Sequence, residues 1–185
     1  MRRTAALLAA VCLLVATPSA AHAATVDDRD AARDARTGTD IRKVTVDNGR
    51  HLLRVRVKLG PTTPRRLDYV ELSLNARARN NGPEFRATSA GRNGDRLHGD
   101  RFGRVDTWGG RGTRLACPRY TVRYSFARDV VVFRIPHRCF GTRLRRLQVA
   151  LEAWRVKEFT GDSSWIGWVD YLDARHSWTP WVRRG

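Results

Sequence analysis

Between Cys117 and Cys139 the chain reads CPRYTVRYSFARDVVVFRIPHRC, and this stretch decides the fold class. Tyr120 to Phe126 alternates as a half-buried strand does, Ala127-Arg128-Asp129 can turn, and Val130 to Ile135 is β-branched and aromatic. The pattern predicts an antiparallel hairpin. With Phe126 facing Val130 across a three-residue loop, the register carried outward sets Cys117 opposite Cys139. Opposed residues of an antiparallel pair hold their Cα atoms about 4.5–5.5 Å apart, within disulfide reach. Val130 to Phe133 is apolar on both faces, which predicts a central strand covered on each side.

Working outward, more strands follow. Ile41, Val44 and Val46 mark one, and Asp47-Asn48-Gly49 is a hairpin signal. The cleanest alternation comes next, with Leu53, Val55, Val57 and Leu59 on one face and Arg54, Arg56 and Lys58 on the other. Gly60-Pro61 and Pro64 end it. Val70, Leu72 and Leu74 point inward from residues 68–75, and Asn80-Asn81-Gly82-Pro83 turns the chain into Glu84-Phe85-Arg86. Residues 89–104, rich in Gly, Arg, Asp and Asn, read as a long exposed loop. Val105 to Trp108 reads as a further strand before the Gly109-Gly110 break, and Leu147, Val149, Leu151 and Ala153 complete the set. About eight short strands and almost no helix predict an all-β fold, an antiparallel β-sandwich stapled by one disulfide.

The amino terminus reads as an address. Met1-Arg2-Arg3 is basic, Ala5 to Ala16 is apolar, and Ala21-His22-Ala23 offers a small-x-small cleavage site. This is the layout of a secretory signal peptide over residues 1–23. The apolar run is too short to span a bilayer, which takes about 20 residues. Val11 before Cys12 argues against lipid attachment there. Cleavage after Ala23 leaves 162 residues with a net charge of +15 and two cysteines, Cys117 and Cys139, an even pair bound for an oxidising compartment. Residues 24–40 read as a flexible lead-in, and residues 41–185 as the sandwich domain.

Taken together, Gly38 to Val46, Val55-Arg56-Val57, Gly82 to Arg86 and Ile135 to Gly141 resemble a group of uncharacterised secreted proteins from high-GC Gram-positive bacteria. More distantly, the opening is similar to DOMON-type and family-nine carbohydrate-binding sandwiches. Phe85 stands where that group has Tyr, His137 where it has Arg, and the Trp-rich tail lies outside the pattern. The resemblance implies a β-sandwich with Cys139 bonded. It transfers no catalytic residue.

Two features point to function. Lysine occurs only at Lys43, Lys58 and Lys157, so arginine supplies 32 of the 35 basic residues. An excess of that size creates a field that draws anions, and guanidinium groups suit phosphate and carboxylate. Outside a cell the anionic cell-wall polymers and glycans are the expected partners, met by Arg54, Arg56 and Lys58, with no motif for specific nucleic-acid reading. Part of the arginine excess also reads as an ordinary solvated face. The second feature is aromatic: five of the six tryptophans lie in the last 32 residues. Trp165, Trp168, Trp178 and Trp181 repeat a three-residue spacing and could stack on sugar faces, or plug one end of the sandwich.

Enzyme signatures are missing from the sequence: there is no HExxH, GxSxG, P-loop or dinucleotide fingerprint. His51, His98, His137 and His176 are scattered. Asp34 with Asp40, and Asp170 with Asp173, offer too few oxygens per loop for calcium, although a bridge between the two segments is conceivable. The expectation is therefore a secreted, strongly basic, non-catalytic binding module of the cell envelope, without cofactor or metal and of undetermined oligomeric state. Two alternatives stand beside it. One is a glycan hydrolase drawing a carboxylate pair from Glu71, Glu84, Glu152 and Glu158, which spacing alone does not bring together. The other is a protein-interaction or inhibitor module, favoured if the Trp pairs form a flat exposed patch.

Overall fold

The structure is a computed structural model, and it describes residues 24–30, 35, 38–80, 82–89, 100–141, 144–160 and 164–185. The proposed signal peptide, Asp34, Asn81 and His98 lie outside them. Two antiparallel sheets enclose one core. The first contains β1 (Ala24–Asp28), β2 (Ile41–Asn48), β3 (Leu52–Leu59), β8 (Thr121–Ser125) and β9 (Val130–Pro136), in the order β1-β2-β3-β9-β8. The second contains β4 (Tyr69–Asn75), β5 (Phe85–Thr88), β6 (Arg101–Arg104), β7 (Thr113–Arg114), β10 (Arg146–Thr160) and β11 (Ser164–Tyr171), in the order β11-β10-β4-β5-β6-β7. A twelfth strand, β12 (Val182–Arg183), pairs with the start of β10.

Alternation accounts for the layers. Leu53, Val55, Val57 and Leu59 are fully buried, as are Val70, Leu72 and Leu74, while Leu147, Val149, Leu151 and Ala153 are buried to within 2%. They form one cluster with Val131, Phe133 and Ile135 from β9, so both sheets turn their apolar faces to a shared interior. No helix among the described residues is long and apolar enough to cross a membrane.

Several expectations need correction. The hairpin register is off by one: Ser125 faces Val130 and Thr121 faces Arg134, because Phe126–Arg128 forms a 3-10 turn closed by left-handed Asp129 (φ 49°). Cys117 and Cys139 are consequently outside the ladder, Cys139 in a second 3-10 turn, yet they are bonded with Cα atoms 5.1 Å apart. β9 is an interior strand, but Val132 on its outer side is only half-buried. Residues 24–28, read as part of a flexible lead-in, form β1. Val26 packs against the core there, and Asp27 accepts from Lys43 Nζ (2.8 Å) and Thr45 Oγ1 (2.6 Å).

Within the expected long loop, residues 90–99 lie outside the described positions, whereas Arg101–Arg104 is a strand that inserts Phe102 into the core. A Cβ on Gly103 would sit 2.8 Å from the Thr113 carbonyl oxygen, so glycine is what lets β7 approach. Residues 105–108 are not a strand: Val105 is buried, and the chain then turns with Gly110 N–H donating to Thr107 O.

The carboxy-terminal segment bridges the sheets. Thr179 N–H donates to Val149 O in β10, Asn48 Nδ2 at the end of β2 donates to Val182 O, and Gly185 N–H donates to Asn48 O. Val182 is fully buried.

His137 lies close to this seam and is 7% exposed. Burial, helped by the charge of Arg184, pulls its imidazole from 6.5 down to about 4. A folded-state value below the unfolded one means that protonation favours unfolding. The contribution is therefore fully present above pH 6.5 and is lost as pH falls toward 4, an effect of about 3 kcal/mol. Glu71, whose carboxyl is raised, slopes the opposite way between 4.5 and about 7. The measurement that isolates His137 is the difference in urea stability between wild type and His137→Asn, expected to shrink over that acid limb.

Candidate anion-binding cleft

Three segments far apart in sequence meet at the end of the second sheet where β4 gives way to β5. They are the β4–β5 turn with the start of β5, the segment from Arg104 to Trp108 and the lead into β10. They enclose a cleft of about 980 Å³ lined by Arg77, Arg79, Arg104, Arg145 and Arg146, with Trp108 also in the wall.

Its scaffold is polar and buried. Glu84 is 9% exposed and accepts from Ala76 N–H and Asn80 Nδ2, both at 2.6 Å, while Asn75 Oδ1 accepts from Arg77 N–H at 2.9 Å. These bonds hold the turn that carries Arg77 and Arg79. Phe85, stacked on Phe102 and edge-on to Phe140, forms the floor, and the Arg104 guanidinium lies over its ring. Trp108 is held by His176, stacked at 4.1 Å, and by Trp178 at 4.7 Å.

Five arginines thus line a cleft whose carboxylates are Glu84, engaged by the turn, and Asp106. Among the described residues, none of the five lies within ion-pair distance of a carboxylate. Like charges gathered around one concavity repel one another, and an anion relieves the repulsion.

The basic residues expected from sequence sit elsewhere. Arg54 and Arg56 are exposed on the outer face of the first sheet, where Arg54 opposes Arg134 and the ladder continues to Arg123. Neither residue lines the cleft. Lys58 is engaged, donating to Arg128 O (2.8 Å) and pairing with Asp129 (3.4 Å).

Among the described side chains, the tryptophans do not form one platform. Trp168, on β11, is half-buried with Arg155 over its ring at 5.2 Å, and Trp181 lies under Arg146 at 4.4 Å. Trp178 packs against Trp108 beside the cleft. The side chain of Trp165 lies outside the described residues, although its backbone pairs with Phe159. The cleft's own tryptophan, Trp108, was not among the four proposed; the Gly109-Gly110 break after it was its only sequence signal.

The acidic residues also separate. Asp170 Oδ2 accepts from Ile41 N–H (2.5 Å) and Asp40 pairs with Arg42 (3.0 Å), so both organise the start of β2. Asp173 is exposed. Among the described residues no three His, Cys, Asp or Glu side chains gather as a metal site. Of the four glutamates, Glu71 and Glu152 face each other across β4 and β10, Glu84 serves the cleft, and the Glu158 side chain lies outside the described residues. No protein-family model matches the chain, and no curated protein matches it.

Proposed function

We propose that the chain is exported and associates with anionic polymers of the cell envelope through the arginine-lined cleft. The observation that carries this reading is the convergence of Arg77, Arg79, Arg104, Arg145 and Arg146 on one concavity without ion-pair partners among the described residues. Guanidinium forks match phosphate and carboxylate bidentately. The Cys117–Cys139 bond and the amino-terminal layout fit an oxidising, extracytoplasmic setting.

The test uses poly(glycerol phosphate) teichoic acid as probe. Arg104→Ala/Arg145→Ala is expected to weaken binding about tenfold at 0.1 M salt and to lower the log–log salt slope by about 1.5, near one released counterion per contact. Arg54→Ala/Arg56→Ala, which removes the same charge from the outer face of the first sheet, is expected to weaken it less than threefold. Equal losses in both variants would show net charge at work and end the cleft reading.

A further inference from the structure

We propose that the outer face of the second sheet is a second site, in which Glu71 and Glu152 hydrolyse glycosidic bonds of a neutral or amino-sugar glycan. The proposal rests on residues outside the arginine cleft and does not require it.

Glu71 of β4 and Glu152 of β10 are directly opposed in the ladder, so their side chains leave the same face as neighbours. Opposed strand residues hold their Cβ atoms about 4.5–5.5 Å apart. Side chains of equal length rising from such a pair can bring their carboxyl groups to the spacing of about 5–5.5 Å that retaining glycosidases use.

The two carboxylates stand in different surroundings. Glu71, with 16% of its side chain exposed, pairs with Arg86 Nε at 2.7 Å. Burial pushes its carboxyl up to about 7 against the pull of Arg86, and the charge of Glu152 adds to the rise. Arg86 is anchored in turn by the carbonyls of Trp108 and Gly110. Glu152 accepts the Trp154 Nε1–H at 3.0 Å, which orients its carboxylate. Different environments for two neighbouring carboxyls are what separates an acid from a nucleophile.

A second observation points to a ligand. Ser73 is 3% exposed and its Oγ has no hydrogen-bond partner; it lies two residues from Glu71 on the same face and opposite Arg86. The buried Oγ1 of Thr88, directly opposite Glu71, is also without a partner. Buried hydroxyls are normally satisfied, and sugar hydroxyls can both donate to and accept from them. Beside them Tyr69 and Trp154 stack at 5.7 Å, and Tyr171 opposes Glu152, giving aromatic surface for a pyranose ring.

The step balances. Protonated Glu71 gives its proton to the glycosidic oxygen as the bond from that oxygen to C1 breaks, and the Glu152 carboxylate bonds to C1 as a glycosyl ester. Water then attacks C1, Glu71 takes the water proton, and the ester bond breaks to free Glu152. One water is consumed per bond cleaved, with retained configuration.

The test measures reducing-end release from peptidoglycan glycan strands, chitin, cellulose, xylan and β-1,3-glucan. Release from at least one is expected, falling as pH rises through about 7 because Glu71 must carry its proton. Glu71→Gln and Glu152→Gln should each lower the rate at least 1,000-fold while melting cooperatively, and azide should restore turnover to Glu152→Ala as a glycosyl azide. Asp173→Asn should change nothing. No release from any of the five polymers, or an unchanged rate in Glu71→Gln, overturns the proposal. Teichoic acid retention by Glu71→Gln should equal wild type, so failure here and failure of the cleft reading are separable.

Discussion

Phe140→Ala is expected to lower the unfolding free energy by about 4 kcal/mol, the upper range for a buried aromatic cut to alanine. Phe140 is fully buried and meets Phe85 edge-on at 5.0 Å and Phe102 edge-on at 5.4 Å. It hangs from the 3-10 turn His137–Phe140 and reaches both β5 and β6 of the opposite sheet. Its removal leaves a void that the two remaining rings cannot close, because Phe85 and Phe102 are already stacked on each other. In urea the midpoint should fall with little change in slope. Phe85 is also the floor of the arginine cleft, so teichoic acid binding should weaken at temperatures where the variant is still folded. A loss below about 1 kcal/mol would mean that the cluster repacks and that the cleft floor is not built as described.

Reduction of Cys117–Cys139, or the double Ser variant, is expected to cost about 3 kcal/mol, from the loop entropy released when 22 residues of separation are no longer closed. For a body of this size that corresponds to a melting point lower by about 10 °C. The loop it closes contains all of β8 and β9, and Cys139 is itself 7% exposed within the core cluster. β8 is the edge of its sheet, held on one side by β9, so it is the element expected to fray first on reduction. Hydrogen exchange should show protection falling at Thr121–Ser125 while β3 keeps its protection. A uniform loss across both sheets would contradict this placement of the staple.

How far the sequence foretold this molecule depends on how local each feature is. Strands β3, β4 and β10 were readable from alternation whose apolar members are buried in fact, β2 from Ile41, Val44 and Val46 before a hairpin turn, and β9 from its β-branched apolar run. The one-residue register slip was not, since it depends on Asp129 adopting a left-handed backbone, which alternation does not encode. β6 was hidden because Arg-Phe-Gly-Arg carries one apolar residue between charges, and only β5 and β7 on either side make it a strand. The cleft was illegible for a different reason. Its five arginines are drawn from segments up to about seventy positions apart in a chain with 32 of them, and no local property marks those five. The opposition of Glu71 and Glu152 depends in the same way on a register between strands separated by most of the domain.

Ala24 pairs with Asn48, and Gly185 donates to the same residue's carbonyl, so the first and last described residues arrive at a single position in β2. A circular permutant that joins them through a few glycines and is reopened at the exposed Gly109 should keep every ladder intact. The same closeness means that two cargo domains, one fused at each end, would be displayed side by side rather than across the width of the sandwich.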